Sequence, residues 1–278
     1  MTGVDAALTV EGLVADVVAG RRGPVPDEIV ATSVFWLGHG TRLAGGDVTY
    51  RNQYVLVRVG RSFGACAVAA GPDGPELGPE VAAASGSSVA SLLTPDTPPG
   101  LRVAALDAYL AETSPHRDDP RAEPVTLPAG TPEDRAVARD AAIAGLLEVD
   151  HGSTVALIGV VNPLVAAIRE RGAECLPCDL TLSRTQWGDE VRRDSDEVID
   201  AADAVVVTGM TLSNDTFDGI VARCRARAIP LTIYAQTGSA VARAFLGDGV
   251  AAVCAEPFPF SQFSADETRL YRYRAADS

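Results

Sequence analysis

A chain of 278 residues with a formal net charge of −14 and no lysine excludes several kinds of chemistry at the outset. An acidic surface argues against general nucleic-acid binding, which needs a basic face to neutralise phosphate. Without lysine there can be no PLP Schiff base, no lysine general base and no P-loop lysine.

Every cationic contact therefore falls to arginine, histidine, a helix start or a bound metal. Apolar residues make up 47% of the chain and aromatics only 5%, so the core is built from small aliphatic side chains. The length suits one large domain or two ordinary ones. Residues 1–19 are interrupted by Asp5, Glu11 and Asp16 and do not read as a signal peptide. No apolar run approaches the roughly 18 residues of a membrane span. The five cysteines are sparse and odd in number, which fits reduced thiols and a cytoplasmic location without membrane partners.

In chain order, 6–19 reads as a helix, and 28–37, rich in β-branched and aromatic residues, as a strand. Residues 53–59 and 63–70 read as a hairpin joined at Gly60-Arg61-Ser62. A Gly/Pro loop follows, then predicted helices over 80–93 and 101–111, the latter with an apolar stripe of Leu101, Ala105 and Ala108. Residues 114–131 carry four prolines and no period, and read as a linker. They divide the chain into a smaller α+β domain, 1–113, a linker, 114–130, and a second domain, 131–278.

The second domain alternates. A helix over 132–149 opens at the N-cap Thr131 with Pro132 in its first position. Short apolar strands are predicted over 154–158, 174–177, 204–207, 230–234 and 250–254. Helices are predicted over 164–171, 215–227 and 239–246. Continuous apolar strands separated by helices imply a parallel sheet covered on both faces, hence an α/β, doubly wound, Rossmann-like domain. The strand order 2-1-3-4-5 is preferred, because it brings together the loops after strands one and three.

Ligands of such sheets bind beyond the carboxyl ends of the strands. After the first strand stands Gly159-Val160-Val161-Asn162-Pro163, which lacks G-x-G-x-x-G and so argues against NAD binding of that kind. Asp179 falls where a ribose-binding acid would, but without the glycine fingerprint it reads as coincidence. After the third strand, six of the nine residues Thr208, Gly209, Met210, Thr211, Leu212, Ser213, Asn214, Asp215 and Thr216 are small and polar. Helix capping requires one such residue, so the stretch reads as part of a site. Gln236, Thr237 and Ser239 follow the fourth strand. The predicted ligand site thus comprises Gly159, Asn162, Thr208, Gly209, Thr211, Asn214, Thr216, Gln236 and Thr237.

Cys175-Leu-Pro-Cys178 is a lone C-x-x-C at the end of the second strand. It reads as a redox dithiol, half of a soft-metal site or two ordinary cysteines. His39, between glycines and near Arg42, Asp47 and Arg51, is the histidine placed to reach a domain edge. His116, in the linker, and His151, in a turn, read as solvated. Cys175, Cys178 and His39 are the candidate metal ligands, with His39 and Cys178 the candidates for proton transfer.

The stretch from Asp203 to Phe217 resembles the signature a-D-x-v-x-x-T-G-x-T-L-x-N-x-T of a largely uncharacterised heavy-metal chelatase family. The apolar helix containing Asp107 resembles the end of that family's first domain, where Asn is commoner. The resemblance implies an enolase-N-terminal-like domain joined to a Rossmann-like domain, with a cleft between them. Two loops depart from the pattern: Val161-Asn162-Pro163 replaces an aromatic-proline turn, and Gln236-Thr237-Gly238-Ser239 a Gly-Pro-Ser-like one.

Two functions follow as expectations. The first is an enzyme or chelatase that handles a metal, a divalent transition metal being the cofactor in view, or a metal-binding small metabolite in the interdomain cleft. The second is a metal-free enzyme or binding protein for a small anionic or nucleotide-like ligand at helix N-termini. The partner is a small molecule or a metal; a homo-oligomer is left open.

Overall fold

The computed structural model describes residues 7–41, 50–68 and 79–276. The Gly/Pro loop after residue 70, and Arg42 and Asp47, which follow His39 in the sequence, lie outside the described residues.

The first lobe contains α1 (Val10–Val18), an antiparallel sheet of β1 (Ala31–Thr41), β2 (Tyr50–Val59) and β3 (Ser62–Val68), the short helices α2 (Pro79–Ala82) and α3 (Val89–Leu92), and α4 (Pro99–Thr113). The single helix expected over 80–93 is broken, because Gly86 takes a positive φ of 89° and Val89 N–H bonds to Ile29 O. Helix α4 is buried along almost all of Leu101–Ala111, a wider face than the predicted stripe. It lies against β2 and β3 on one side and the second lobe on the other. Gly64 permits this: a Cβ there would fall 2.1 Å from Ala108 N and 2.2 Å from Ala104 O.

The region expected to be a linker is structured. It carries β4 (Glu123–Leu127), which joins the second lobe's sheet as an edge strand. Pro124 is tolerated there because an edge position does not require every N–H. The second lobe continues with α5 (Pro132–Ala144), β5 (Thr154–Ile158), α6 (Asn162–Glu170), β6 (Glu174–Cys178), α7 (Ser195–Asp200), β7 (Ala204–Thr208), α8 (Phe217–Arg227), β8 (Leu231–Ala235), α9 (Ser239–Ala244), β9 (Ala252–Ala255) and β10 (Thr268–Arg274).

Seven strands form one sheet in the order β4-β10-β9-β8-β7-β5-β6. The five strands β5 to β9 run parallel in the predicted order, and β10 and β4 extend the sheet antiparallel. The fold is mixed α/β, with a mostly parallel sheet flanked by helices and a small antiparallel sheet beside it. The β5 segment Thr-Val-Ala-Leu-Ile is buried because α5 and α6 cover one face of the sheet and α7, α8 and α9 the other. The apolar cluster on the α8–α9 face runs without a break into α1, α4 and the small sheet. The first lobe is thereby seated on α9 and the carboxyl edge of the parallel strands. Among the described residues no helix is long and apolar enough to cross a membrane.

Candidate functional site

The loops after β5, β7, β8 and β9 meet at the carboxyl edge. The polar residues predicted to share one hollow there are mostly committed elsewhere. Thr211 is buried and donates its hydroxyl to Thr208 O at 2.9 Å. Asn214 is turned to its own loop and accepts from Thr216 N at 3.3 Å and Thr216 Oγ1 at 2.7 Å. Asn162 Oδ1 accepts from Gln186 N at 3.1 Å. Thr237 is buried, its carbonyl against Gly209. Thr208 Oγ1 is buried without a hydrogen-bond partner among the described residues. It lies beside Gly159, where a Cβ would come within 2.3 Å of it.

One helix start at this edge, that of α9, is already supplied with the protein's own carboxylate, and carboxylates stand beside two others. Asp179 accepts from Val160 N at the entrance to α6, and from Thr181 N, Thr181 Oγ1 and Leu182 N. Asp218 lies in the first turn of α8, and also holds Val10 N of α1. Asp107, from the first lobe, accepts from Ala240 N and Val241 N at the start of α9. A carboxylate in that position satisfies exposed N–H groups and the helix dipole as an anionic ligand would.

A second group of polar residues does converge, between the lobes. Glu256, at the end of β9, is 1% exposed. Its Oε2 accepts from Tyr234 OH and Gln236 Nε2, each at 2.9 Å, and its Oε1 from Ser261 N at 2.5 Å. Gln236 Nε2 also donates to Gln262 Oε1 at 2.7 Å. From the first lobe comes Tyr54, whose hydroxyl burial pushes up to about 12, opposed by a hydrogen bond from Gln262. The His39 ring stacks on Tyr54 at 5.8 Å and meets Phe263 edge-on at 5.2 Å. Arg139 of α5 lies 5.4 Å over the Tyr234 ring and pairs with buried Asp140 at 2.8 Å. The loop carrying Glu256 and Gln262 is pinned by Arg135, a buried guanidinium that donates to Ser261 O and Thr268 Oγ1.

Of the predicted site residues, Gln236 and His39 fall in this region. Tyr54, Arg139, Asp140, Tyr234, Glu256 and Gln262 were not singled out in the sequence. One signal was available: Glu256 follows directly on a fully apolar strand, the strand-end position that drew attention to Gln236.

The expected metal set requires correction. Cys175 and Cys178 are three residues apart on β6, and side chains alternate along a strand, so they emerge on opposite faces of the sheet. They cannot share an ion. His39 is held in the aromatic group at the lobe junction, apart from both. Burial pushes the Cys175 thiol up to about 12 and the Cys178 thiol up to about 11, which leaves both protonated and poor as ligands or nucleophiles at neutral pH. Among the described residues, no three or more His, Cys, Asp or Glu side chains are grouped to hold a metal ion.

His116 is corrected too. It is buried, with Nδ1 2.8 Å from Tyr273 OH and Nε2 3.3 Å from Ser239 Oγ. Burial, followed by the nearby Arg243, lowers its pKa to about 3. His151 is exposed, as expected. Two open hollows lie away from the lobe junction. One of about 520 Å³, lined by Glu148, His151 and Asp203, is at the opposite end of the parallel strands, and one of about 530 Å³, lined by Pro24, Thr32 and Glu112, is on the first lobe.

Fold and edge loops together define a Rossmann-like α/β protein with an additional small α+β lobe. Residues 141–253 match the model of the DUF364 family, described as "Putative heavy-metal chelation". That is the family which the stretch from Asp203 to Phe217 resembles. A family protein of unknown function from Desulfitobacterium hafniense superposes with a TM-score of 0.62 at 12% identity, covering 96% of this chain and 100% of its own. Another, from Pyrococcus horikoshii, gives a TM-score of 0.53 at 14% identity, covering 93% and 98%. At these identities the likeness is one of fold. No functionally curated protein matches the sequence.

Proposed function

We propose that the protein is an enzyme or chelatase for a small metal-binding metabolite, held between the lobes where Gln236, Glu256 and Gln262 face Tyr54 and His39. The observation that carries this reading is Glu256. A buried carboxylate is costly unless fully hydrogen-bonded, and here three donors hold it at a strand end beside a half-exposed glutamine. The family description favours a metal among the things handled. Because Cys175, Cys178 and His39 do not converge, this reading assigns the metal's donors mainly to the metabolite. The protein supplies hydrogen bonds and an aromatic wall. The alternative, an anionic ligand at helix starts, has less support, since Asp107 already takes N–H groups at the start of α9, and Asp179 and Asp218 place negative charge beside the starts of α6 and α8.

Equilibrium dialysis of tag-free protein against Ni²⁺, with and without citrate or histidine as model chelators, tests the reading. We expect metal to be retained with a chelator present and lost in Gln236→Leu. Retention of bare Ni²⁺ to the same extent, or no retention with either chelator, would overturn it.

A further inference from the structure

We infer that the lobe junction selects a planar ligand that donates a hydrogen bond to Gln236 Oε1, with Glu256 as the positioning residue that turns this oxygen to it. The inference rests on the proposed function and specifies its ligand. A carboxylate oxygen accepting from Tyr234 OH and lying 2.9 Å from the Gln236 amide cannot face the amide's own oxygen without opposing two acceptors. The NH₂ group must therefore point to Glu256. Its second hydrogen is used on Gln262 Oε1 at 2.7 Å. Both donors are spent, and the amide orientation is fixed from two sides.

What remains is Oε1 of a half-exposed glutamine, without a hydrogen bond among the described residues. It can only accept. A ligand that offers it another acceptor is penalised, and one that offers O–H or N–H is held. Buried or half-buried polar groups left unmatched give the larger part of such discrimination. The second element is flatness. Phe263 is 40% exposed and has His39 edge-on at 5.2 Å, with Phe258 and Phe260 behind it at 6.2 Å and 6.1 Å. An aromatic wall of this kind favours a ring that stacks or meets it edge to face.

Catechol and 1,2-dimethoxybenzene form a matched pair for the test. Both are flat and similar in outline, but methylation removes the two donors. Their dissociation constants are measured by calorimetry or saturation-transfer NMR on the full chain, with thermal unfolding recorded for each variant. We expect catechol to bind about fivefold more tightly, the size of one neutral hydrogen bond. That ratio should fall close to one in Glu256→Gln, where the amide is no longer oriented, and in Gln236→Leu, which serves if the first variant fails to fold. Equal affinities in the wild type, or a ratio kept in both variants, would overturn the inference. Binding of neither compound overturns the ligand class while the Ni²⁺ dialysis still stands; failure of the dialysis with the ratio intact does the reverse.

Discussion

Asp107 and Ala240 join the two lobes: Asp107 Oδ1, on α4, accepts a 2.7 Å hydrogen bond from the backbone N–H of Ala240 at the start of α9. The same carboxylate takes Val241 N at 3.4 Å and, through Oδ2, Ala65 N of β3 at 2.9 Å. Gly238 N–H crosses the junction in parallel, donating to Ala65 O at 2.8 Å. Asp107→Ala leaves three N–H groups without their acceptor in a fully buried place. We expect a loss of about 3 kcal/mol or more in urea unfolding, since each unsatisfied buried donor costs about 1–3 kcal/mol. A loss under about 1 kcal/mol would show that the junction does not depend on this carboxylate.

The same residue and His116 give opposite pH dependences. Burial raises the Asp107 carboxyl from 3.8 to about 6, against hydrogen bonds from Ala65, Ala240 and Val241. The folded chain then binds a proton that the unfolded chain releases, so Asp107 contributes less stability as pH rises from about 4 to about 6. His116, lowered from 6.5 to about 3, does the reverse: its contribution is present above 6.5 and is lost as pH falls toward 3. Comparing urea midpoints of wild type, Asp107→Asn and His116→Phe from pH 4 to 7 separates the two. Relative to wild type, Asp107→Asn should gain as pH rises, and His116→Phe should gain as pH falls. Parallel curves for all three would refute both assignments.

Gly64→Ala places a methyl group 2.1 Å from Ala108 N and 2.2 Å from Ala104 O, both backbone atoms of α4. No rotamer relieves this contact, and helix and strand must separate. Destabilisation of about 3 kcal/mol, at the upper end of overpacking costs, is expected in thermal unfolding. A near-neutral result would mean that α4 and β3 slide apart more readily than their shared burial suggests.

For the cysteines, the opposite-face geometry predicts independence. Neither Cys175→Ala nor Cys178→Ala should change Ni²⁺ retention with citrate, and the double variant should match the product of the single effects. In the native protein a thiol reagent should react slowly with both at pH 7, because burial keeps them protonated, and quickly after unfolding. Rapid modification of the folded protein at either position would contradict this.

Much of the second lobe is legible from local pattern. The apolar run from Thr154 to Ile158 is a strand buried from Val155 onward, and the five parallel strands take the order expected of a doubly wound sheet. Thr131 and Asp134 form the reciprocal cap that opens α5, beginning at Pro132 as its sequence suggests. Other elements escaped such reading. β10, Thr-Arg-Leu-Tyr-Arg-Tyr-Arg, alternates in character because it is only partly buried, and two of its arginines, Arg272 and Arg274, pair with Glu123 and Glu148 far away in the chain. β4 is masked by its proline and charges, which an edge position accepts.

At the candidate site the division is sharper. A strand-end glutamine such as Gln236 is visible in sequence; its partner Glu256 lies 20 residues on and Tyr54 in the other lobe. The polar stretch from Thr208 to Thr216 looks like a ligand cradle, yet its hydroxyls and amide mostly serve their own loop. By itself, the sequence determined the parallel sheet, the covering helices and the absence of lysine chemistry, since periodicity and composition are properties of neighbours along the chain. Only the tertiary structure decided which helix start was already filled and which side chains met, because Asp107 and Ala240 are 133 residues apart and a hydrogen bond reads distance in space.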